Sequence, residues 1–294
     1  MRPCPSALRA AGLLWGFFAC AAARASPSVC EAPEFRSFGA IELVEHDRSA
    51  LAGIPASSRL ETRDFALGFA HRSGRFAWGI THRYAIFDFA GIEPQTNGHV
   101  HTTTLPLHWR SSGNRLRFSA APALSASSNV MGHPQEWQSE TLQLLAALVV
   151  TSRISDTLDF RWGICGDHRF GEYAIYPTAA LLWSPGRWRV ELGFPRFELA
   201  FEPGNALRFA LSIAPDGNEW HVKDRGLVAG SQLVYEGVAV EWRTEWRVTR
   251  RVALSLSLGR QLENRYELAL AGGTRLATSG DAVSRVGLGI RSYF

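Results

Sequence analysis

Short segments in which apolar and polar residues alternate follow one another from Phe38 to the end of this 294-residue chain. In one such segment Phe76, Trp78 and Ile80 lie on one face, and small or polar residues lie on the other. A period of two predicts β-strands whose two faces meet unlike surroundings. The pattern therefore predicts an all-β fold, although a soluble sandwich and a membrane barrel show the same alternation.

The connections between the segments alternate between tight and long. Tight connections fall at residues 73–74, 111–114, 153–156, 185–186, 202–205 and 244–249, and long ones at 46–59, 90–99, 126–138, 215–228 and 261–280. If residues 193–196 form a hairpin between two short strands, all the long connections lie at one end. This arrangement predicts an antiparallel transmembrane β-barrel with short periplasmic turns and longer outer loops. We expect about fourteen strands, with twelve as the alternative.

The chain ends on an alternating segment, residues 284–294, that stops at an aromatic residue. One face carries Val286, Leu288, Ile290 and Phe294, and the other carries arginines and glycines. This ending resembles the closing strand of Gram-negative outer-membrane β-barrels. In its overall pattern the chain resembles outer-membrane barrel families of proteobacteria with no assigned function. The resemblance implies that these four residues act as an assembly signal for the barrel-assembly machinery. It also implies contact with outer-membrane lipid and lipopolysaccharide.

The amino terminus predicts export. Arg2 and Arg9 precede an apolar run, and Ala23 and Ala25 frame a small-residue cleavage site. These features are typical of a secretory signal peptide, and the run is shorter than the ~20 residues that span a bilayer as a helix. We expect a signal peptide at 1–25, a periplasmic segment at 26–36 and a transmembrane barrel at 37–294, located in the Gram-negative outer membrane.

Two cysteines, Cys30 and Cys165, follow the signal peptide. In an oxidising compartment they could form a disulfide. Because Cys165 is expected near the outer end of its strand, this pairing requires the segment 26–36 to enter the barrel. Two thiols do not form a zinc site. The net charge of +4, without a basic run, gives no reason to expect a nucleic-acid partner.

Charged residues fall on the inward face of many predicted strands. The predicted lumen-lining residues are Arg83, Arg117, Asp159, Arg161, Arg189, Glu191, Glu198, Arg208 and Arg285, and Asp64, Arg72 and Arg291 share their face. Such charges either pair and fill a barrel or line a polar path through it. Because arginines outnumber acids in this set, an open pore is expected to favour anions.

The sequence does not predict a catalytic or metal site. A barrel hydrolase needs a serine beside a histidine base. His82 is the mid-strand histidine expected to face lipid, and counting across the turns places Phe65 and Leu107 opposite it. His99 and His101 share a strand face, but they are better explained as part of a polar loop than as metal ligands. The polar residues at 216–219 lack the spacing of a calcium loop and predict a plain turn.

The leading hypothesis is a passive channel or small-solute transporter that has no cofactor and is not an enzyme. One alternative is a structural or surface-binding barrel with a filled lumen. A lipid-modifying enzyme of the outer membrane ranks third. The sequence leaves the solute and the oligomeric state open.

Overall fold

The computed structural model describes residues 29–30, 37–52, 59–90, 97–223, 231–269 and 275–294. The strands are β1 (Phe38–His46), β2 (Ser49–Ala50), β3 (Arg59–Ser73), β4 (Phe76–Ala90), β5 (Asn97–Thr104), β6 (Leu107–Arg110), β7 (Leu116–Ser127), β8 (Leu142–Arg153), β9 (Leu158–Asp167), β10 (Ala174–Trp183), β11 (Trp188–Phe194), β12 (Phe197–Phe201), β13 (Leu207–Pro215), β14 (Asn218–Val222), β15 (Ser231–Arg247), β16 (Val252–Ala269), β17 (Arg275–Gly280) and β18 (Val283–Tyr293). One short helix, α1 (Ser128–Met131), and two 3₁₀ turns (Pro134–Glu136 and Ser139–Thr141) lie between β7 and β8.

These strands form a closed antiparallel barrel of fourteen wall strands, as the sequence predicts. β5 and β6 together make one wall strand, which is interrupted at residues 105–106. β2, β14 and β17 are not counted as wall strands, because they lie at one end of the barrel. The last strand closes the barrel. β18 pairs with β16 on one side and with β1 on the other, from Phe38 opposite Tyr293 to His46 opposite Arg285.

The hairpin predicted at residues 193–196 is present. β11 and β12 pair from Trp188 opposite Phe201 to Leu192 opposite Phe197. Both strands are short, so the wall is low at this point. The hairpin keeps the tight connections at one end of the barrel, the turn end, and the longer ones at the other, the loop end.

The prediction of a long loop at residues 261–280 is wrong. β16 continues to Ala269, and β17 pairs with it from Asn264 opposite Gly280 to Ala269 opposite Arg275. The polar side chains of this stretch are compatible with a strand that rises beyond an apolar belt. Arg265, for example, pairs with Glu236 on the neighbouring strand at 3.0 Å.

The outward face of the wall is apolar, with aromatic side chains concentrated near the turn end. Trp78, Trp183, Trp188 and Phe294 are 48%, 49%, 46% and 66% exposed. Large side chains on the outside of a closed barrel, sorted by height, are typical of the aromatic girdle of a membrane barrel. No helix among the described residues is long and apolar enough to cross a membrane.

At the loop end the wall continues into a smaller closed ring. β14 pairs with β15 and also reaches β7, where His221 lies opposite Ala126. β17 joins β2 through Leu51 opposite Gly280. The ring of β2, β3, β4, β5, β7, β14, β15, β16 and β17 is thereby complete. We call this ring the cap. Its interior is filled by an apolar cluster that includes Leu60, Phe87, Val100, Trp220, Leu233, Tyr235 and Tyr266.

Part of the amino-terminal segment lies inside the barrel. Val29 and Cys30 are buried against Leu145, Val149 and Tyr176 on the inner face of the wall. The expectation of a periplasmic segment at 26–36 is therefore incorrect for these two residues, because apolar packing and a disulfide hold them in the lumen. The rest of that segment, and the predicted signal peptide at 1–25, lie outside the described residues.

Candidate functional site: the barrel lumen

A chain of buried ion pairs runs along the inner face of the wall below the cap. Arg243 bonds Glu42 at 2.7 Å and Glu241 at 3.1 Å. Arg285 bonds Glu241 at 2.6 Å and Asp216 at 3.4 Å. We call these five residues the charge ladder. Their side chains are 3–12% exposed, so the acids and arginines are compensated by one another rather than by water.

A second buried pair lies on the neighbouring strands. Arg83 on β4 bonds Asp64 on β3 at 2.9 Å, and His46 on β1 lies 3.2 Å from the same carboxylate. Burying an isolated charge costs far more free energy than burying a paired one. This side of the lumen is therefore filled by paired polar groups that pack under the cap.

The side chains on the other side of the lumen, along β9–β13, are more exposed to solvent. Arg161 bonds Glu191 at 3.2 Å, and Glu198 binds both Arg196 and Arg208. The side chains of Arg161, Glu191 and Arg208 are 15%, 23% and 21% exposed. Since they lie on the inward face of a closed wall, the water that reaches them occupies the lumen. We call this region the vestibule.

The charges of the vestibule are balanced. The cations along β9–β13 are Arg161, Arg189, Arg196 and Arg208. The anions are Asp159, Glu191, Glu198 and Glu202. In this set of described residues the arginines therefore do not outnumber the acids. The anion preference predicted from the sequence depends on such an excess of arginine.

The structure places the predicted lumen residues in different settings. Arg83 and Arg285 are in buried ion pairs, while Arg161, Glu191, Glu198 and Arg208 pair in the vestibule, where Arg189 is exposed. Asp159 lies 3.6 Å from Arg153 at the turn end. Arg117 donates to the backbone oxygen of Cys30 at 3.3 Å. Most of the predicted set therefore belongs to a paired network.

Sequence reasoning missed four members of the charge ladder. Glu241 and Arg243 flank the outward-facing Trp242, and strand alternation alone would have placed both of them inward. The same alternation places Glu42 on the inward face of β1. The plain turn predicted at residues 216–219 is wrong, because Asp216 bonds Arg285 and β14 begins two residues later.

The amino-terminal residues are fixed to the wall by a disulfide. Cys30 and Cys165 are bonded, with their Cα atoms 5.7 Å apart, which lies within the usual range. Asp167 beside them accepts hydrogen bonds from Arg169 at 3.1 Å and from the Tyr176 hydroxyl at 2.9 Å. We call Val29 and Cys30, held in this way, the plug.

A metal site is not supported at this position. Cys30, Cys165 and Asp167 are close enough to share a metal ion, but sulfurs bonded to each other are not thiolate ligands. The three residues are better explained as the structural anchor of the plug.

The connection between β9 and β10 folds over the same region. A Cβ atom built on Gly171 would lie 3.0 Å from Val234 on β15, and one built on Gly217 would lie 2.6 Å from the backbone nitrogen of Gly171. Because the backbone of Gly171 lies so close, there is no room for a side chain at residue 217. The connection, the plug and the cap together cover the lumen at the loop end, as far as the described residues extend.

Outside the wall, an ion pair ties the loop between β7 and β8 to the cap. Lys223, directly after β14, donates to the carboxylate of Glu136, and this hydrogen bond lowers the pKa of the Glu136 carboxyl. The loop between β7 and β8 is thereby held against the strand that crosses the barrel.

No family model matches the sequence, and no curated protein matches it. Among solved structures, the chain is similar to an outer-membrane channel from Pseudomonas putida F1, with a TM-score of 0.47 and 12% identity over 92% of this chain and 99% of that one. It is also similar to TodX, the toluene transporter of P. putida, with a TM-score of 0.46 and 9% identity over 90% and 91% of the two chains. For the KdgM porin, solved with oligogalacturonate, the TM-score is 0.38 and the identity 7% over 87% and 99%.

Proposed function

We propose that this protein is an outer-membrane barrel that acts as a passive channel for small solutes and is closed at its loop end by an internal plug. The observation that carries the proposal is the vestibule, where charged side chains on the inner face keep water contact inside a closed wall. Charged side chains around a hydrated lumen can line a polar path for small solutes.

The membrane location rests on the contrast between the two faces of the wall. A charged side chain facing lipid near the bilayer midplane costs ~2–4 kcal/mol, and the outward face carries exposed apolar side chains such as Leu144, Ile164 and Leu256. The predicted export signal and closing strand support the outer membrane of a Gram-negative cell. Lipid, lipopolysaccharide and the barrel-assembly machinery are then the expected partners.

The balanced charges of the vestibule support weak selectivity rather than the anion preference expected from the sequence. Arg161 and Arg208 each have a carboxylate within 3.2 Å, so their fields are largely cancelled. A solute that passes must be small and polar, or must displace the plug.

The test is single-channel conductance of the refolded protein in planar bilayers. The oxidised wild type should conduct little, while the variant with both Cys30→Ser and Cys165→Ser should show larger or more frequent steps. The control is Ser155→Ala, in a tight turn far from the plug, which should conduct like the wild type.

A second candidate is a structural barrel with a filled lumen, favoured by the burial of the charge ladder. If neither the wild type nor the double serine variant conducts above background while both remain folded, the channel proposal fails and the filled barrel takes its place.

A further inference from the structure

Three histidines and a tyrosine gather on the outward face of the wall. His82 and Tyr84 lie on β4, and His99 and His101 lie on β5. The ring of Tyr84 stacks on that of His101 with centroids 4.7 Å apart. None of these four residues takes part in the ion pairs of the lumen described above. Packing between aromatic rings does not by itself require histidine at three positions.

Ser128 completes this group. It is the exposed first residue of α1, directly after β7, and its Oγ lies 2.8 Å from the Nε2 of His101. The backbone oxygen of His99 lies farther from this hydroxyl, at 3.4 Å. The serine therefore has a histidine nitrogen as its nearest acceptor, which is the contact that activates a serine as a nucleophile.

The hydrogen bonds continue from His101 to His82 and Thr103. The Nδ1 of His101 lies 3.4 Å from the Nε2 of His82, and the Nδ1 of His82 lies 2.9 Å from the Oγ1 of Thr103. One assignment of protons satisfies these two contacts together with that between Ser128 and His101. Ser128 donates to His101, His101 donates from Nδ1 to His82, and His82 donates to Thr103. His82 thereby holds His101 with its Nε2 lone pair towards the serine, the role of the third group in a catalytic triad.

The register predicted from the sequence is wrong at this point, which hides the arrangement. His82 lies opposite Leu67 and Thr103, not opposite Phe65 and Leu107. β5 and β6 keep one register against β4, with Thr104 opposite Thr81 and Leu107 opposite Trp78. The serine comes from the loop end of β7, which counting across the turns does not place beside His82.

The group lies at the upper edge of the apolar belt. On the same faces and towards the turn end, Ile80 and Leu105 are 44% and 49% exposed, and Leu142 beside β7 is 60% exposed. Towards the loop end the neighbouring side chains are polar, with His99 and Asp88 exposed. An acyl chain lying against the belt would present its ester bond at the height of Ser128.

We infer that Ser128, His101 and His82 form a lipid-facing esterase site whose substrate is a carboxylic ester of a membrane lipid. The Oγ of Ser128 attacks the carbonyl carbon while the Nε2 of His101 takes its proton. The tetrahedral intermediate then collapses, the bond to the alcohol breaks, and the departing alcohol receives that proton. Water, deprotonated by the same nitrogen, attacks the acyl-serine, and the serine leaves with that proton as the fatty acid is released. Ser128 and His101 are the catalytic residues, and His82 is a positioning residue.

The test uses the full-length refolded protein in detergent micelles and does not depend on conductance. A fluorophosphonate reagent should label Ser128, as located by mass spectrometry, and the protein should hydrolyse p-nitrophenyl octanoate. Ser128→Ala should abolish both reactions. His101→Gln should slow hydrolysis at least about 100-fold, the lower range for loss of a general base. Ser139→Ala, which changes an exposed serine of the same loop, should alter neither.

The role of His82 has its own pair of variants. His82→Asn keeps a side-chain acceptor for the Nδ1 proton of His101 and should keep most of kcat, whereas His82→Leu should lower kcat with little change in KM. Heat-modifiable migration on gels checks that each variant is folded.

Three results would overturn the inference. One is a folded wild type that the reagent does not label, and another is labelling that persists in His101→Gln. The third is stoichiometric Zn²⁺ binding by an unlabelled wild type that is lost in His82→Leu, which would make the pair of histidines a metal site.

Discussion

The charge ladder gives the sharpest stability prediction. Arg285 bonds Glu241 at 2.6 Å and Asp216 at 3.4 Å, and the side chains of all three are at most 10% exposed. Replacing Arg285 by Met leaves Glu241 with Arg243, but it removes the arginine that bonds Asp216. Breaking a buried pair from one side typically costs about 3–5 kcal/mol. We therefore expect the free energy of unfolding to fall by about this amount in Arg285→Met.

The assay is urea unfolding of the refolded protein in phospholipid vesicles, followed by the fluorescence of its ten tryptophans. Adding Asp216→Asn to Arg285→Met should recover part of the loss, with a coupling free energy of about 0.5–3 kcal/mol. The control is Arg153→Met, whose partner Asp159 lies 3.6 Å away in a more exposed pair, and which should cost about 0–1 kcal/mol. If Arg285→Met costs no more than Arg153→Met, the ladder does not stabilise the barrel.

Three further predictions concern assembly, sidedness and closure. Phe294→Asp should impair assembly into the outer membrane, and normal heat-modifiable migration of this variant would contradict the role of the closing strand. An epitope tag after Glu136 should be accessible on intact cells, while a tag after Ser112 should not; the reverse pattern would invert the topology. Gly217→Ala should displace the connection between β9 and β10 and raise the conductance of the refolded barrel. An unchanged conductance would show that this connection does not close the lumen.

The wall of the barrel could be predicted from the sequence because each strand carries its own signal. Alternation around Trp78 or Leu256 reports which face meets lipid, and a tight or long connection reports which end has been reached. These are local properties of a few residues. The strand number, the direction of the strands and the closing role of residues 284–294 all follow from adding them in order.

The interior could not be predicted in the same way, because it depends on contacts between distant strands. The ladder joins Glu42 to Asp216 through residues of β15 and β18, and strand alternation does not say which inward side chains meet. The crossing of β14 to reach Ala126 breaks the neighbour-to-neighbour rule of the wall. The Ser128–His101 contact depends on the same kind of information, since it joins β5 to the residue that follows β7.

The pairing of β1 with β18 has a consequence for how the protein is made. Phe38 and Tyr293 are partners although most of the chain separates them, so the edge of β1 stays uncovered until β18 has been synthesised. Contacts so distant in sequence form slowly, and an uncovered edge offers a template for pairing with other chains. A chain released before β18 would therefore present two open edges, those of β1 and β16. Its fate should depend on how long these edges stay uncovered, more than on the stability of the finished barrel.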